Sequence, residues 1–517
     1  MIITTTINYL IFINLCSIIC ILCWHYIISN CSTFWLIWLF KWKELWEDFK
    51  NWDPSPDEKR TPKEIISPLT IKRFIVSESK KSIIYFRSLG IKWIAFIGSF
   101  CCFILSLYLL RDFYKINNFG NNVISNLDDY GHIISNNNSF FLFSDGVSIF
   151  FIILTTFIIM LCIIVSRYNI VNNHIYYICL LTLNLLLILA FSTWHLLWFY
   201  IFFEAILIPM FIMIILWGSR ERKIKAGFYF FLYTVVGSFS MLIGILLLYL
   251  QTQTLDINQL AHYAFDLEKQ KILWLCFFIG FSIKIPTIPF HLWLPEAHVE
   301  APTTGSVILA SSLLKLGGYG FLRISLPLFP LATKYFLPLI YTLCILSIIY
   351  ASIIALRQVD IKKIIAYTSI AHMNLIVLGI FSLTVYGLTG AIFLMIAHGI
   401  VSGALFLIIG VLYERFHTRL LNYYGGLGHF MPLFATFFCI FSLGNLGFPG
   451  TCNFIGEFLV LLAILHGNLW VAILSATTMI CSAAYSLWLF NRVCMGTFIS
   501  LKHFLIICVV LKSDNTN

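Results

Sequence analysis

Six ionisable side chains lie inside otherwise apolar stretches of the sequence. They are two glutamates, two lysines and two histidines: Glu204, Lys284, Lys315, His372, His398 and Glu457. A charge in mid-membrane costs about 2.5–3.5 kcal/mol on insertion scales, so such groups usually face the protein interior and carry function. Burial disfavours a charged lysine, a nearby carboxylate favours it, and histidine titrates near neutrality. A row of these residue types across a membrane predicts a proton relay.

Each of these residues also has a structural interpretation. Glu204, Lys284 and Lys315 could form a buried ion pair or extend to the membrane interface, as long side chains do. Glu457 could cap a helix N-terminus, where an acid complements the helix dipole. The two histidines could be hydrogen-bonded core residues.

The composition indicates a helical protein that spans a membrane many times. Hydrophobic residues make up 60% of the 517 residues and charged residues only 11%. Apolar runs of about 20 residues, long enough to cross a hydrocarbon core, recur along most of the chain. The alternating segments of about ten residues typical of a membrane β-barrel are missing. We therefore predict an all-α transmembrane bundle of about 13 to 14 helices.

The hydropathy pattern predicts thirteen crossings. They lie near residues 7–29, 93–110, 147–166, 174–191, 194–217, 227–250, 272–292, 303–321, 335–356, 363–381, 387–412, 431–466 and 469–491.

Two crossings should be discontinuous. In 272–292, Pro286 and Pro289 directly follow Lys284, and proline removes a backbone donor and clashes with the preceding turn. The stretch 431–466 would be a straight helix of about 54 Å, too long for one crossing, and its middle, "GNLGFPGTCNFIGEF", should break near Glu457.

Discontinuous helices at matching positions in two halves of a transporter point to inverted repeats around an ion path. We accordingly predict two repeats of five helices, each forming one half-channel. The predicted regions, in chain order, are an N-terminal crossing at 1–40, a polar insertion at 41–92, further crossings at 93–166, the two repeats at 174–321 and 335–491, and a tail at 492–517.

The basic residues predict the orientation in the membrane. Ten lie in connections after odd-numbered crossings that follow the insertion, namely Arg167, Arg220, Arg222, Lys223, Lys225, Arg357, Lys362, Lys363, Arg415 and Arg419. The alternate connections, counted beyond the third crossing, contain four, namely Lys269, Lys271, Arg323 and Lys334. Residues 41–90 add 11 basic residues to the first side, together with 8 acidic ones. The positive-inside rule then places the insertion inside and the N-terminus outside. With its tryptophans, the insertion is interpreted as a docking surface.

Motifs for other chemistry are missing from the sequence. It has no glycine-rich dinucleotide fingerprint, no Walker motif and no four-cysteine cluster motif. The stretch "HLWLPEAHVEAP" is interpreted as a loop in which His291 and His298 are seven residues apart with Pro295 between them, unlike the zinc-binding H-E-x-x-H pattern. We interpret this loop as a proton entry or a structural network at the inner mouth. We predict no metal and no cofactor on this chain. We attribute the net charge of +10 to the basic residues that set the loop topology, and we predict no nucleic-acid partner.

Five stretches, "WFYIFFEAILIPMFI", "FSIKIPTIPFHLWLPEAHVEAPTTGSVILASSLLKLGGYGFLR", "LRQVDIKKIIAYTSIAHMNL", "HGIVSGALFLIIGVLYER" and "NFIGEFLVL", closely resemble the antiporter-like, proton-pumping membrane subunits of NADH:ubiquinone oxidoreductase, respiratory complex I. The resemblance covers roughly residues 141–495. It implies a place in the mitochondrial inner membrane among other complex I subunits. NADH, FMN, the iron–sulfur clusters and ubiquinone would lie on those subunits. Abundant Phe, Ile, Tyr and Asn fit an organellar gene.

The resemblance also implies roles for the six residues. Glu204 and Lys284 match the glutamate–lysine pair of the family's first half-channel, and Lys315 matches its connecting lysine. His372 and His398 match the family's central histidines, and Glu457 matches the carboxylate of its second half-channel.

Two departures from the family pattern are visible. The insertion at 41–90 is foreign to it, and the family's fourteenth crossing is reduced here to the short apolar run 504–510. The alternative function is that of a subunit of a cation/proton antiporter, and a purely structural membrane scaffold is the third class considered.

The first prediction concerns the C-terminal tail. Residues 504–510 would cover only about 10 Å as a helix, so the tail should lie on the same side as the insertion. Protease treatment of inside-out and right-side-out vesicles checks this. Cleavage of the tail from the side opposite the insertion would reveal a fourteenth crossing.

Overall fold

The structure is a computed structural model that describes residues 6–23, 68–120, 142, 144–166 and 173–496. Within these residues the chain is almost wholly helical, and β-structure is limited to isolated bridges such as His195 with Asp256. Eleven of the described helices are long and apolar enough to cross a membrane. The prediction of an all-α, multi-pass membrane bundle is confirmed.

Three helices precede the region of the predicted repeats. They are α1 (Thr6–Cys23), α2 (Pro68–Gly120) and α3 (Gly146–Val165). Helix α2 is much longer than the crossing predicted at 93–110, because it begins inside the segment interpreted as the end of the insertion. The end of the N-terminal segment, residues 24–40, the rest of the insertion, residues 41–67, and the tail beyond residue 496 lie outside the described residues.

The next helices run to the first broken crossing. They are α4 (Asn173–Ser192), α5 (Leu196–Ala205), α6 (Leu207–Trp217), α7 (Lys223–Thr252), the short α8 (Ile257–Ala261), α9 (Leu267–Lys284) and α10 (Trp293–Glu300). Helices α5 and α6 form one crossing interrupted at Ile206.

The remaining helices complete the bundle. They are α11 (Thr303–Leu328), α12 (Pro330–Arg357), α13 (Ile361–Phe381), α14 (Val385–Phe416), the short α15 (Leu427–Phe430), α16 (Pro432–Leu446), α17 (Cys452–Gly467) and α18 (Leu469–Cys494). A single 3₁₀ turn, Leu421–Tyr423, lies between α14 and α15.

The first predicted break is present between α9 and α10. Helix α9 ends at Lys284, two residues before Pro286, and the chain resumes a helix at Trp293. The indole of Trp293 spans the gap by donating a hydrogen bond to the carbonyl of Ile283 at 2.9 Å. The stretch "HLWLPEAHVEAP", interpreted from sequence as a loop, is mostly helix α10. That interpretation was wrong because Pro295 falls in the first helical turn, where proline is tolerated.

The second predicted break separates α16 from α17. Gly447 ends α16 with φ +75°, and Gly450 follows with φ +97°. These left-handed conformations suit glycine, which has no β-carbon. Glu457 lies in the second turn of α17. The two discontinuous helices are thus observed, whereas the inverted relationship of the two halves stays a prediction.

Helix α11 has an irregularity that hydropathy could not indicate. Two π-helical segments, Leu309–Leu313 and Phe321–Ser325, lie on either side of Lys315. Such wider turns occur frequently at functional sites. They change the register of the helix around the buried lysine.

Glycines allow α14 and α17 to pack closely. A β-carbon on Gly390 would lie 2.8 Å from Cβ of Leu459, and one on Gly456 would lie 2.8 Å from Cβ of Leu394. Helices in membranes associate largely through such small residues, because lipid supplies no hydrophobic driving force between them. This crossing fixes α17, and with it Glu457, against the bundle.

The second prediction tests this contact. Gly456→Ala should destabilise the protein by about 1–3 kcal/mol, because the added methyl group overpacks the crossing. Gly467→Ala is the matched control, since its β-carbon would meet nothing within 4 Å. Thermal unfolding in detergent measures both variants. Equal midpoints would show that α14 and α17 can separate without cost.

Candidate functional site

Lys315 and His398 form the centre of the candidate site. The Nζ atom of Lys315 lies 2.9 Å from Nδ1 of His398 and donates a hydrogen bond to the carbonyl of Ala310 at 2.6 Å. Lys315 is fully buried and His398 is 1% exposed. Two residues 83 positions apart, on α11 and α14, therefore share a hydrogen bond that a proton can use.

His372 extends this contact toward Glu457. The ring centres of His372 and His398 are 5.7 Å apart, and Nδ1 of His372 lies 3.1 Å from Oε1 of Glu457. Helices α11, α14, α13 and α17 thus each contribute one residue to a continuous row. We call Lys315, His398, His372 and Glu457 the central row.

The break between α16 and α17 holds the carboxylate at the end of this row. Oε2 of Glu457 packs so closely on Gly447 that a β-carbon there would collide with it. The phenol of the buried Tyr485, on α18, also interacts electrostatically with Glu457. The irregular backbone is therefore part of the wall of the site.

Among the described residues, Glu204 and Lys284 make no hydrogen bond to the central row. Lys284 is 2% exposed, and its Nζ lies 4.6 Å from the ring centre of Phe203. Glu204 is half-buried and interacts with Lys284 electrostatically. Among the described residues, Oε1 of Glu204 and Nζ of Lys284 have no hydrogen-bond partner. The predicted pair is therefore coupled through space without a direct hydrogen bond.

His298 is a candidate residue that the sequence interpretation placed in a loop and did not select. It is fully buried on α10, with its ring stacked on Phe406 at 4.7 Å between centres. It interacts electrostatically with Lys315 and with Lys362. The sequence interpretation assigned this stretch to a proton entry or a structural network, but it did not predict that the stretch is the second half of the broken helix.

Two basic side chains bind the C-terminal end of α10. Arg419, from the segment after α14, donates to the carbonyl of Val299, and its Nη2 lies 3.4 Å from Oε1 of Glu300. Lys362 donates to the carbonyl of Ala301 at 3.0 Å. Both basic side chains bind carbonyl groups at the end of the helix where the dipole is negative.

A second ionic contact lies at the other end of α11. Nη1 of Arg323 is 2.6 Å from Oδ2 of Asp145, and the guanidinium carbon lies 3.6 Å from the ring centre of Trp194. Burial raises the pKa of Asp145, and the arginine opposes that shift. Asp145 therefore joins the start of α3 to the end of α11.

Comparison with known proteins agrees with this arrangement. The family model described as "NADH:quinone oxidoreductase/Mrp antiporter, TM" matches residues 193–482. NADH-ubiquinone oxidoreductase chain 4 of Marchantia polymorpha is 54% identical over 363 residues, which are 70% of this chain and 73% of that protein. Chain 4 of Chondrus crispus is 56% identical over 354 residues, or 68% and 72% of the two chains.

A solved structure agrees as well. A chain of respiratory complex I from Thermus thermophilus with bound NADH superposes with a TM-score of 0.68 at 29% identity, covering 82% of this chain and 90% of that one.

The broken helices and the buried row of charges define a class of membrane proteins, the antiporter-like subunits. The chain belongs to the NADH:quinone oxidoreductase/Mrp antiporter membrane family. Within that family it groups with the chain 4 subunits of NADH-ubiquinone oxidoreductase.

The third prediction tests the contact between Gly447 and Glu457. Gly447→Ala should displace the carboxylate from His372, because a β-carbon would occupy its position. Proton pumping by the assembled complex should fall by about tenfold or more, the usual range for losing a proton-transfer group.

Gly450→Ala is the matched control for that variant. It introduces the same kind of left-handed strain, but its β-carbon would meet nothing within 4 Å. Equal losses of pumping in the two variants would mean that strain at the break, and not the position of Glu457, determines the effect.

Proposed function

We propose that this chain translocates protons along the row of buried ionisable side chains from Lys315 to Glu457. The observation that carries the proposal is the contact sequence Lys315–His398–His372–Glu457, built from four helices. The chain is a membrane-arm subunit of NADH:ubiquinone oxidoreductase, and other subunits of that complex are its partners. Electron transfer from NADH to ubiquinone drives the translocation.

The site supports a mechanism of successive proton shifts. A proton on Lys315 can pass to His398 through the 2.9 Å hydrogen bond. His372, which faces both His398 and Glu457, can then accept it and pass it to the carboxylate. Lysine, histidine and carboxylate can each gain and lose a proton, so every member of the row can return to its starting state.

Glu204 and Lys284 control the first half-channel in this proposal. An ionised Glu204 stabilises the ammonium form of Lys284, and loss of that negative charge favours proton release from the lysine. The carboxylate can therefore change the proton occupancy of Lys284 without a direct hydrogen bond. The break after Lys284 supports this role, since it frees backbone groups beside the lysine. Residues 174–321 and 335–491 would be the two half-channels.

The location and the cofactors follow from membership of the complex. The protein would lie in the mitochondrial inner membrane and be encoded in the organelle. NADH, FMN, iron–sulfur clusters and ubiquinone would bind to other subunits, and no cofactor would bind to this chain. The lipid bilayer surrounds the exposed apolar faces of the outer helices, such as those of Val236 and Leu433.

A cation/proton antiporter subunit is the second candidate, because the family name covers both kinds of protein. Identity above 50% to chain 4 subunits favours the first function. Proton flux that depends on a cation and persists without NADH would favour the second.

The fourth prediction tests the coupled pair. Glu204→Gln keeps the shape of the side chain but removes the charge that stabilises protonated Lys284. Coupled NADH oxidation and proton pumping should both fall, although the complex assembles. Lys284→Met should cause a similar loss. The double variant should be no worse than either single one, because both changes disable one unit.

An exposed pair on the same helix is the control. Glu268 and Lys271 lie 2.9 Å apart, with the glutamate side chain 81% exposed, so Glu268→Gln and Lys271→Met should leave pumping near normal. NADH:ubiquinone turnover and proton uptake in membrane vesicles are measured for all variants at equal assembly. Near-normal pumping in Glu204→Gln would mean that its pair with Lys284 is structural.

A further inference from the structure

A polar cavity lies at one end of the bundle, outside the central row. Its volume is about 270 Å³, which leaves room for several water molecules. Lys362, Glu414, His417, Tyr176 and Ser219 are among its lining residues. The site combines several polar side chains with enough room for water.

The position of the cavity in the chain indicates which side of the membrane it faces. Ser166, Ser219, Lys362 and His417 each belong to, or directly adjoin, a different connection that follows an odd-numbered crossing. These are the connections richer in lysine and arginine, which the positive-inside rule places inside, on the matrix side. The cavity therefore opens toward the side from which a respiratory proton pump takes up protons.

Lys362 joins this cavity to the protein interior. The residue lines the cavity, yet it is only 2% exposed. Its Nζ donates to the carbonyl of Ala301 at 3.0 Å and lies 3.5 Å from Oγ of Ser306. Ala301 lies just before α11, the helix that carries Lys315, and Ser306 lies in the first turn of α11.

His298 lies behind Lys362. Its imidazole interacts electrostatically with Lys362, Lys315 and His398. Among the described residues, both of its ring nitrogens are buried without a hydrogen-bond partner. A neutral imidazole can accept a proton at one nitrogen and release one from the other.

We infer that the cavity is the proton-uptake chamber of the pump, that Lys362 is its first buried proton acceptor, and that His298 connects Lys362 to the central row. A proton from the matrix phase passes through water in the cavity to the neutral amine of Lys362. The ammonium then transfers a proton to the imidazole of His298, which passes one to the Lys315–His398 pair, and Lys362 returns to the neutral amine. This inference rests on the proposed function. It adds Lys362 and His298 to the proton path and assigns proton uptake to the matrix side.

The fifth prediction separates proton transfer from structural support. Lys362→Arg keeps a positive donor near the carbonyl of Ala301, but the guanidinium does not release its proton at any relevant pH. Proton uptake and coupled NADH oxidation should therefore fall by about tenfold or more in the assembled complex. Lys362→Met, which removes both the charge and the donor, should cause a comparable loss.

The neighbouring lysine supplies the control. Lys363 is ion-paired with Glu296 at 3.2 Å, is partly exposed and does not line the cavity. Lys363→Met should retain pumping near the unmodified level, since exposed ion pairs contribute at most about 1 kcal/mol. Normal pumping in Lys362→Arg would overturn the inference, because the lysine would then be a structural donor only.

A variant without any charge change tests the cavity independently. Ser219→Trp fills space at an exposed position of the cavity wall and should slow proton uptake, whereas Ser219→Ala should not. If Lys362→Arg fails to assemble, Lys362→Met and Ser219→Trp decide, and normal pumping in both overturns the inference.

Lys315→Met distinguishes this inference from the proposed function. Loss of pumping in Lys315→Met together with normal pumping in the Lys362 variants would reject only the uptake chamber. Normal pumping in Lys315→Met would reject the proposed function itself.

Discussion

The structure depends on keeping a lysine inside a membrane protein. An ammonium group in an apolar interior is costly unless hydrogen bonds replace its water. The bundle satisfies Lys315 with one acceptor that is permanent, the carbonyl of Ala310, and one that is titratable, Nδ1 of His398. The second acceptor makes the site chemically active, because a proton can lie on either partner. The helices around α11 must hold α14 at the distance where this bond forms.

Broken helices are how the bundle accommodates the other charged groups. A continuous helix satisfies its own backbone groups, whereas a break leaves carbonyls and amides that need partners. At the first break the indole of Trp293 binds a carbonyl of α9, and Arg419 holds the far end of α10. At the second break Gly447 lets the carboxylate of Glu457 approach the backbone. In each case the irregular segment lies against an ionisable residue and is itself held by specific contacts.

Different contacts surround the two ends of α11. Two basic side chains, Lys362 and Arg419, bind carbonyl groups at the end of α10. The cavity that Lys362 lines adjoins them. The opposite end of α11 is joined to α3 by Arg323 and Asp145. Between these ends the central row runs across four helices. Because each contact joins different helices, a small displacement of one helix changes the proton affinity or the spacing along the row.

The sequence alone determined the membrane class, the two breaks and the six ionisable residues that lie inside apolar stretches. Long apolar runs, helix-breaking residues and isolated charges are local signals, so no tertiary information was needed to find them. Only the tertiary structure decided that the four residues of the central row meet, whereas Glu204 and Lys284 make no hydrogen bond to that row. It also decided that His298 lies on a helix behind Lys362, and that π-helical segments flank Lys315. The physical reason is that side chains 83 and 85 residues apart meet through helix packing, which close glycine contacts determine and hydropathy does not encode.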